Sequence, residues 1–250
     1  MRVLSVPLSD AVIRDLRAGE TVALRGVVVT ARDAAHRWLV ETFIRKTRLP
    51  HEDDHAAIAA LEPILKDGVI YHCGPVVAGL ESKAYRVVAA GPTTSMRAEP
   101  YQAEVIRHFH VKGIIGKGGM GAKTLQACRE APAVYFHAIG GAATFIAQTV
   151  RRVLGVYKLE FGMPEALWVI EVHDLPLVVT MDAHGQSLHE EIARASGRVL
   201  TELLTDQIAP LRPLDTLPIL AIISPTTDAL KGHDGGKYIG GNRQGGAGRD

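Results

Sequence analysis

Apolar positions recur along this chain in two rhythms, short continuous runs and helical spacing, and the two trade places repeatedly. Ser9 and Asp10 supply a cap for a short helix that ends before Gly19. Valine-rich runs at residues 21–24 and 27–30 read as strands. Asp33 opens an amphipathic helix to about Lys46, with Ala34, Trp38, Phe43 and Ile44 among its apolar positions. Another helix covers residues 54–66, with Pro63 near its end. Short apolar runs at 69–71, 85–89, 114–115 and 134–136 then alternate with helical segments at 102–109, 123–129 and 142–150. Three strand-like runs follow, 156–159, 168–172 and 177–181, before a closing helix at 188–204. The pattern predicts one α/β domain over residues 1–205, with several strands close in sequence and no regular barrel of eight repeats.

Beyond Asp206 the character changes. Pro210, Pro213, Pro218 and Pro225 interrupt the chain, and residues 232–248 are rich in glycine with almost nothing to bury. That composition predicts a flexible, largely disordered tail over residues 206–250, because it cannot offset its own ordering entropy. Its one apolar piece, residues 217–223, is the part able to dock as an extra strand.

Composition narrows the function classes. The chain has 250 residues, 47% of them apolar, so a sizeable core is within reach. A formal charge of +1 argues against a generally basic nucleic-acid binder. No apolar run approaches the ~20 residues that span a bilayer. The first residues are too poor in apolar side chains for a secretory signal. The only two cysteines, Cys73 and Cys128, are far apart, which excludes a disulfide framework and points to a reducing cytoplasm. Two isolated thiols also fall short of the three or four that an iron–sulfur cluster needs, so no metal site is expected on this chain.

The candidate chemistry lies where strands give way to helices. Gly91-Pro92-Thr93-Thr94-Ser95-Met96-Arg97 and Gly116-Lys117-Gly118-Gly119-Met120-Gly121 each leave an apolar run and enter a helical one. Backbone N–H groups and the helix dipole favour an anion at such turns. Neither segment contains an acidic residue, and together they offer two hydroxyls, a guanidinium and an ammonium. A small, doubly charged substrate such as a dicarboxylate is expected. The glycines formally match a dinucleotide fingerprint, but the next strand ends Phe136-His137-Ala138-Ile139-Gly140 without the required carboxylate. A phosphate loop fails too, because Ala122 precedes Lys123-Thr124. His51-Glu52-Asp53-Asp54-His55 matches a zinc-protease pattern but reads as an acidic, solvated helix start.

Arg32 and His36 are four apart, so a helix turns them the same way, and a guanidinium at that junction can take a carboxylate bidentately. Cys73, in the turn Tyr71-His72-Cys73-Gly74-Pro75, has no adjacent base and reads as a small buried filler. Gly140-Gly141 forms a third strand-to-helix turn, and Glu165 is available to pair with a site cation.

Taken together, these segments resemble the β component of the iron–sulfur hydro-lyases, the class I fumarase and L-tartrate dehydratase family. The matching pieces are Thr30-Ala31-Arg32-Asp33-Ala34-Ala35-His36, His72-Cys73-Gly74-Pro75, Gly91 to Arg97, Ile115 to Met120, Gly140-Gly141, Phe161-Gly162-Met163-Pro164-Glu165 through Trp168, and Met181-Asp182-Ala183-His184-Gly185. The resemblance covers about residues 7–204. It implies a swivelling β/β/α three-layer domain and a two-component lyase, such as an α2β2 hetero-oligomer. The separate α subunit would ligate a [4Fe-4S] cluster, and this chain would close over it. The implied reaction is reversible hydration of fumarate to (S)-malate. Conversion of L-tartrate to oxaloacetate is the alternative, and a non-enzymatic dicarboxylate-binding protein is a third reading. By correspondence, Arg32, Arg97 and Lys117 are the cations that hold substrate, with Thr94 and Gly116 beside them. Thr93 matches the hydroxyl proposed as base. His36, with a reference pKa near ~6.5, is the alternative proton carrier. The chain departs from the pattern at Ala98, where many relatives carry methionine, over the longer segment 49–67, and in the tail.

Overall fold

A computed structural model describes residues 1–208 of the protein, so the expected tail lies outside the described residues except where the last helix runs on to Ile208. Residues Met1–Leu200 form one compact unit, and a second unit begins at Thr201. Among the described residues the strands are β1 (Arg2–Ser5), β2 (Thr21–Thr30), β3 (Val69–Tyr71), β4 (Val76–Ala78), β5 (Arg86–Ala89), β6 (Gly113–Gly116), β7 (Val134–His137), β8 (Val150–Tyr157) and β9 (Leu167–Met181). The helices are α1 (Asp10–Asp15), α2 (Asp33–Trp38), α3 (Glu52–Leu65), α4 (Glu99–Phe109), α5 (Ala122–Glu130), α6 (Ala143–Thr149) and α7 (Leu188–Ile208).

The main sheet has seven strands in the order β1-β2-β3-β6-β7-β9-β8, and β4 pairs with β5 in a separate hairpin. The first five strands of that order are mutually parallel, while β9 is antiparallel to β7, β8 and β2. Because β9 reaches both β7 and β2, strands β2, β3, β6, β7 and β9 close into a ring. Alternation along each strand matches this closure. Val28, Tyr71, Ile115, Phe136 and Ile170 pack into one core, with the β4–β5 hairpin and α6. Val29, Ile70 and Val169 turn to the opposite face, against α2, α3 and α4. Ile114 and Tyr135 do the same against α4 and α5.

The mixed α/β class follows from the sequence, and Ser9 caps α1 through its hydroxyl as expected. Strand ends differ. The runs at 21–24 and 27–30 are one strand, because a register shift between Leu24 and Gly26 lets pairing with β9 continue across the break. Gly26 there has φ +113°, and a Cβ would sit 2.9 Å from the Val6 carbonyl oxygen. The runs at 168–172 and 177–181 are likewise joined within β9, with Arg25 bonded to Asp174 opposite the irregularity. Of the run at 156–159 only the first two residues are strand, the end of β8, which begins at Val150 where helix was expected. The helix from Asp33 has the expected reach but changes winding, passing into a π-helical turn at Leu39–Ile44.

Candidate active site

Four parallel strands, β2, β3, β6 and β7, end at one edge of the sheet, and the sequence motifs lie just past those ends. Ligands favour the carboxyl ends of parallel strands in open sheets and closed barrels alike. The ladder continues past the strands: Ala31 N–H donates to the Tyr71 carbonyl (3.0 Å), His72 N–H to that of Ile115 (2.8 Å), and Ala138 N–H to that of Gly116 (2.9 Å). The segment after Gly91 is laid across this edge. Thr93 N–H donates to the His72 carbonyl at 2.7 Å, Lys117 N–H to that of Thr93 at 3.3 Å, and Ser95 N–H to that of Lys117 at 3.2 Å. Thr93 and Lys117 are thus fixed by backbone bonds rather than left in free loops.

The candidate residues placed along this edge come from separate parts of the chain. Arg32 follows β2 and is ion-paired to Glu165 Oε1 at 3.1 Å, while Glu165 Oε2 accepts from Ala34 N–H. Arg97 pairs with Asp33, next to Arg32 in sequence. Lys117 has no ion pair among the described residues. The Arg97 side chain is 59% exposed and that of Arg32 19%, so Arg97 faces solvent and Arg32 is largely enclosed. Thr94 is exposed and Thr93 half-buried, with the Thr93 hydroxyl donating to the His72 carbonyl at 3.0 Å. Gly116 is buried, and a Cβ there would lie 1.8 Å from Ser95 Oγ. The glycine makes room for Ser95.

Three expectations change. The N-terminus of α5 was expected to offer its N–H groups to an anion, but Glu99 already occupies it. Its carboxylate accepts from Gly121, Lys123 and Thr124 N–H (2.9, 3.1 and 3.3 Å) and from the Thr124 hydroxyl (2.6 Å). Glu165 serves the first turn of α2 in the same way. Second, the near-neutral titration expected of His36 does not hold. The ring is fully buried, both nitrogens are engaged, and burial pushes its pKa down. Third, the acidic start of α3 is not wholly solvated. Asp54 is fully buried, bonded to His51 N–H, Trp38 Nε1 and Lys158 Nζ.

Cys73 and Cys128 are both fully buried, and burial pushes each thiol up to about 12. Two buried thiols on separate elements fall short of the three or four that hold an iron–sulfur cluster. Among the described residues no group of three or more His, Cys, Asp or Glu is arranged to hold a metal ion.

Beneath the edge runs a buried polar chain. His36 Nδ1 lies 2.9 Å from the Arg32 carbonyl oxygen and its Nε2 2.9 Å from Gln102 Oε1. The same oxygen is 2.9 Å from His72 Nε2, and His72 Nδ1 is 2.8 Å from Ser95 Oγ, which meets Tyr135 OH at 2.8 Å. Burial and the nearby His36 ring push His72 down to about 3. Motif reading missed Gln102, Ser95 and His72 as a group. One signal was present: Gln102 is the polar member of the buried stripe Gln102, Val105, Ile106 and Phe109 on α4.

Residues 3–192 match the family model described as the fumarase C-terminus. The chain belongs to this family. A protein of Geobacillus stearothermophilus provisionally named fumarate hydratase class I is 44% identical over 80% of this chain. The chain spans only 35% of that relative's length. The L(+)-tartrate dehydratase subunit beta of Escherichia coli K12 is 36% identical, and the match covers 76% of this chain and 87% of that subunit. A Methanocaldococcus jannaschii protein provisionally named L(+)-tartrate dehydratase subunit beta is 37% identical over 77% of this chain and 93% of its own length. Among the described residues, this family member has no helix long and apolar enough to cross a membrane.

Proposed function

We propose that this chain is the β component of a class I fumarate hydratase, interconverting fumarate and (S)-malate only together with a separate α subunit. The observation that carries the reading is the convergence of Arg32, Arg97 and Lys117 with the Thr93 and Thr94 hydroxyls at one sheet edge. A substrate with two carboxylates suits several cations on separate supports. Removing a proton from carbon beside a carboxylate builds negative charge on that carboxylate, and fixed cations stabilise the change without reorganising. Arg32, enclosed and held by Glu165, presents a planar fork suited to bidentate contact. Lys117 adds a point charge that no carboxylate of the described residues neutralises.

Thr93 is the proton-moving group in this reading; its hydroxyl keeps its own proton on the His72 carbonyl, so what it offers a substrate proton is an oxygen lone pair. His36 then acts through its hydrogen bonds and not on substrate. A [4Fe-4S] cluster on the α subunit would supply Lewis-acid chemistry, since the thiols of this chain do not fit one. The swivelling β/β/α layering, an α2β2 assembly and a cytoplasmic setting belong to the same proposal. The higher identity to the Geobacillus protein favours fumarate. Near-complete coverage of free-standing tartrate dehydratase β subunits favours the second reading, conversion of L-tartrate to oxaloacetate.

Co-expression with candidate α subunits, anaerobic purification and assay on malate and tartrate tests these readings. The expected result is malate turnover by the complex and none by the lone chain. Tartrate turnover alone would favour the second reading. Turnover by the lone chain would overturn the two-component assignment, and carboxylate affinity without turnover in any pairing would favour a non-enzymatic binding protein.

A further inference from the structure

His36, Gln102 and His72 form a sealed unit beneath the candidate site, with Gln102 and His36 fully buried and His72 nearly so. The two imidazole centroids lie 5.0 Å apart, edge to face, and one amide touches both. With Oε1 toward the rings, the Gln102 NH2 group is buried without a partner among the described residues. Two donors are then wasted in a site that water does not reach.

Proton accounting sharpens the conflict. His36 Nδ1 faces the Arg32 carbonyl oxygen, an atom that only accepts, so Nδ1 carries a proton. If Gln102 also presents an oxygen, His36 Nε2 must carry a second proton, leaving a cation in the core. The groups facing His36 are Gln102 from α4, His72 from the end of β3, and the charges of Asp33 and Glu165. Both carboxylates are already committed, Asp33 to Arg97 and Glu165 to Arg32. Nothing remains to compensate an imidazolium.

A half-turn of the amide exchanges its oxygen and nitrogen at nearly unchanged positions. We propose that Gln102 points its NH2 group at both rings, donating to His36 Nε2 and His72 Nε2 together, and so acts as a positioning residue for the candidate site. Both imidazoles are then neutral with their proton on Nδ1. His36 donates to the Arg32 carbonyl and His72 donates to Ser95 Oγ, whose own proton goes to the Tyr135 oxygen. The two Gln102 donors are satisfied, one donor is left in their place, the Tyr135 O–H beyond Ser95, and the amide oxygen takes the unpartnered place at Gln102, which an acceptor tolerates better than an N–H group does. The downward pKa shifts of both rings agree with neutrality. The directional chain runs from the backbone of Arg32 to Ser95, which sits between Thr93 and Arg97. Through it α4 sets the spacing between the end of β2 and the segment laid across β3 and β6.

The test begins with imidazole nitrogen–proton correlation spectra of the 15N-labelled full chain, from about pH 5 to 8. His36→Gln and His72→Gln assign the signals. Both rings are expected neutral, with the proton on Nδ1 throughout. A proton on Nε2 of either ring, or an imidazolium, would overturn the assignment, and this measurement needs no Gln102 variant to fold. Gln102→Glu, which has no donors when ionised, is expected to move a proton onto Nε2 of at least one ring; unchanged rings in that variant would count against the proposal. In the complex with the α subunit, Gln102→Met is expected to lower kcat/KM by about tenfold or more. A loss of thermal stability with unchanged kcat/KM would reduce Gln102 to a structural role. The kinetic arm rests on the proposed reaction and the spectra do not. Nδ1 tautomers beside a complex inactive on both acids would therefore overturn the reaction and leave the hydrogen-bond assignment standing.

Discussion

Lys158 and Lys117 are both lysines at the ends of strands, and the contrast between them separates a cation that serves the fold from one proposed to serve a site. Lys158 follows β8, with its Nζ 2.6 Å from Asp54 Oδ1, a second pair to Glu160, and the Trp38 and Phe161 rings 5.6 and 5.3 Å away. Its side chain is 6% exposed and that of Asp54 fully buried. Every charge there is answered, which ties the start of α3 to the turn leading on toward Glu165. Lys117 is half-buried at the sheet edge, held by its backbone and with its charge unanswered among the described residues. Arg32 and Arg97 fall between, each paired with one carboxylate and each less buried than Lys158. Spare capacity near solvent marks the cations able to meet a ligand.

The strongest way to break this comparison is chemical. In the assembled enzyme, Thr93→Val is expected to lower kcat by about a hundredfold or more with a much smaller change in KM, as loss of a proton-transfer group does. A fully active variant would remove Thr93 from the chemistry. Next come the cations. Lys117→Met or Arg97→Met should lower kcat/KM by about two orders of magnitude, roughly 3 kcal/mol, with the thermal midpoint nearly unchanged. Near-native kinetics would place that residue outside the site.

Asp54→Ala is the counterpart at the buried pair. It leaves the buried Lys158 with only the exposed Glu160 to answer it and is expected to cost about 3 kcal/mol in urea unfolding, with kcat/KM within a few-fold of the parent. A kinetic loss as large as that of Lys117→Met would erase the distinction. The smallest effect is the acid dependence of the same pair. Burial alone raises the Asp54 carboxyl, but bonds from Lys158, His51 and Trp38 outweigh it and hold the group below its ordinary 3.8. The unfolded chain therefore binds the proton more readily, so this stabilisation is present above about pH 4 and is lost as pH falls through the lower folded value. Melting midpoints between about pH 5 and 3 should fall less steeply in Asp54→Asn than in the parent. Equal slopes would show that the pair contributes nothing to acid sensitivity.

Where the candidate residues would stand was largely legible before any coordinates. Arg32, Thr93, Arg97 and Lys117 stand in short motifs next to strand-like runs, and parallel strands deliver such motifs to a common edge. Of the carboxylates only Glu165 was legible, as a partner for a site cation; the roles of Asp33 and Glu99 were not. The two glycine-bearing segments contain no acidic residue, yet Asp33, Glu99 and Glu165 reach the neighbouring groups from other elements. Local sequence cannot report a contact made across 25 or more positions of chain, as between Glu99 and Thr124 or Asp33 and Arg97. The same limit hid the joined strands. Gly26 and Asp174 look like breaks in the one-dimensional pattern, and pairing between β2 and β9 carries through both.

By itself, then, the sequence determined the α/β class, most of the strand and helix positions, the family, and which side chains bring charge to the strand ends. These rest on period, composition and short motifs, which are local properties of the chain. Tertiary structure alone decided that β9 closes the ring, that Glu99 already fills the anion position at α5, that His36 is fully buried with both ring nitrogens engaged, and that Gln102 joins two histidines under the candidate site. Those outcomes depend on which distant groups share a dry space. In such a space a donor, an acceptor or a charge is fixed by what stands opposite it, wherever that residue falls in the chain.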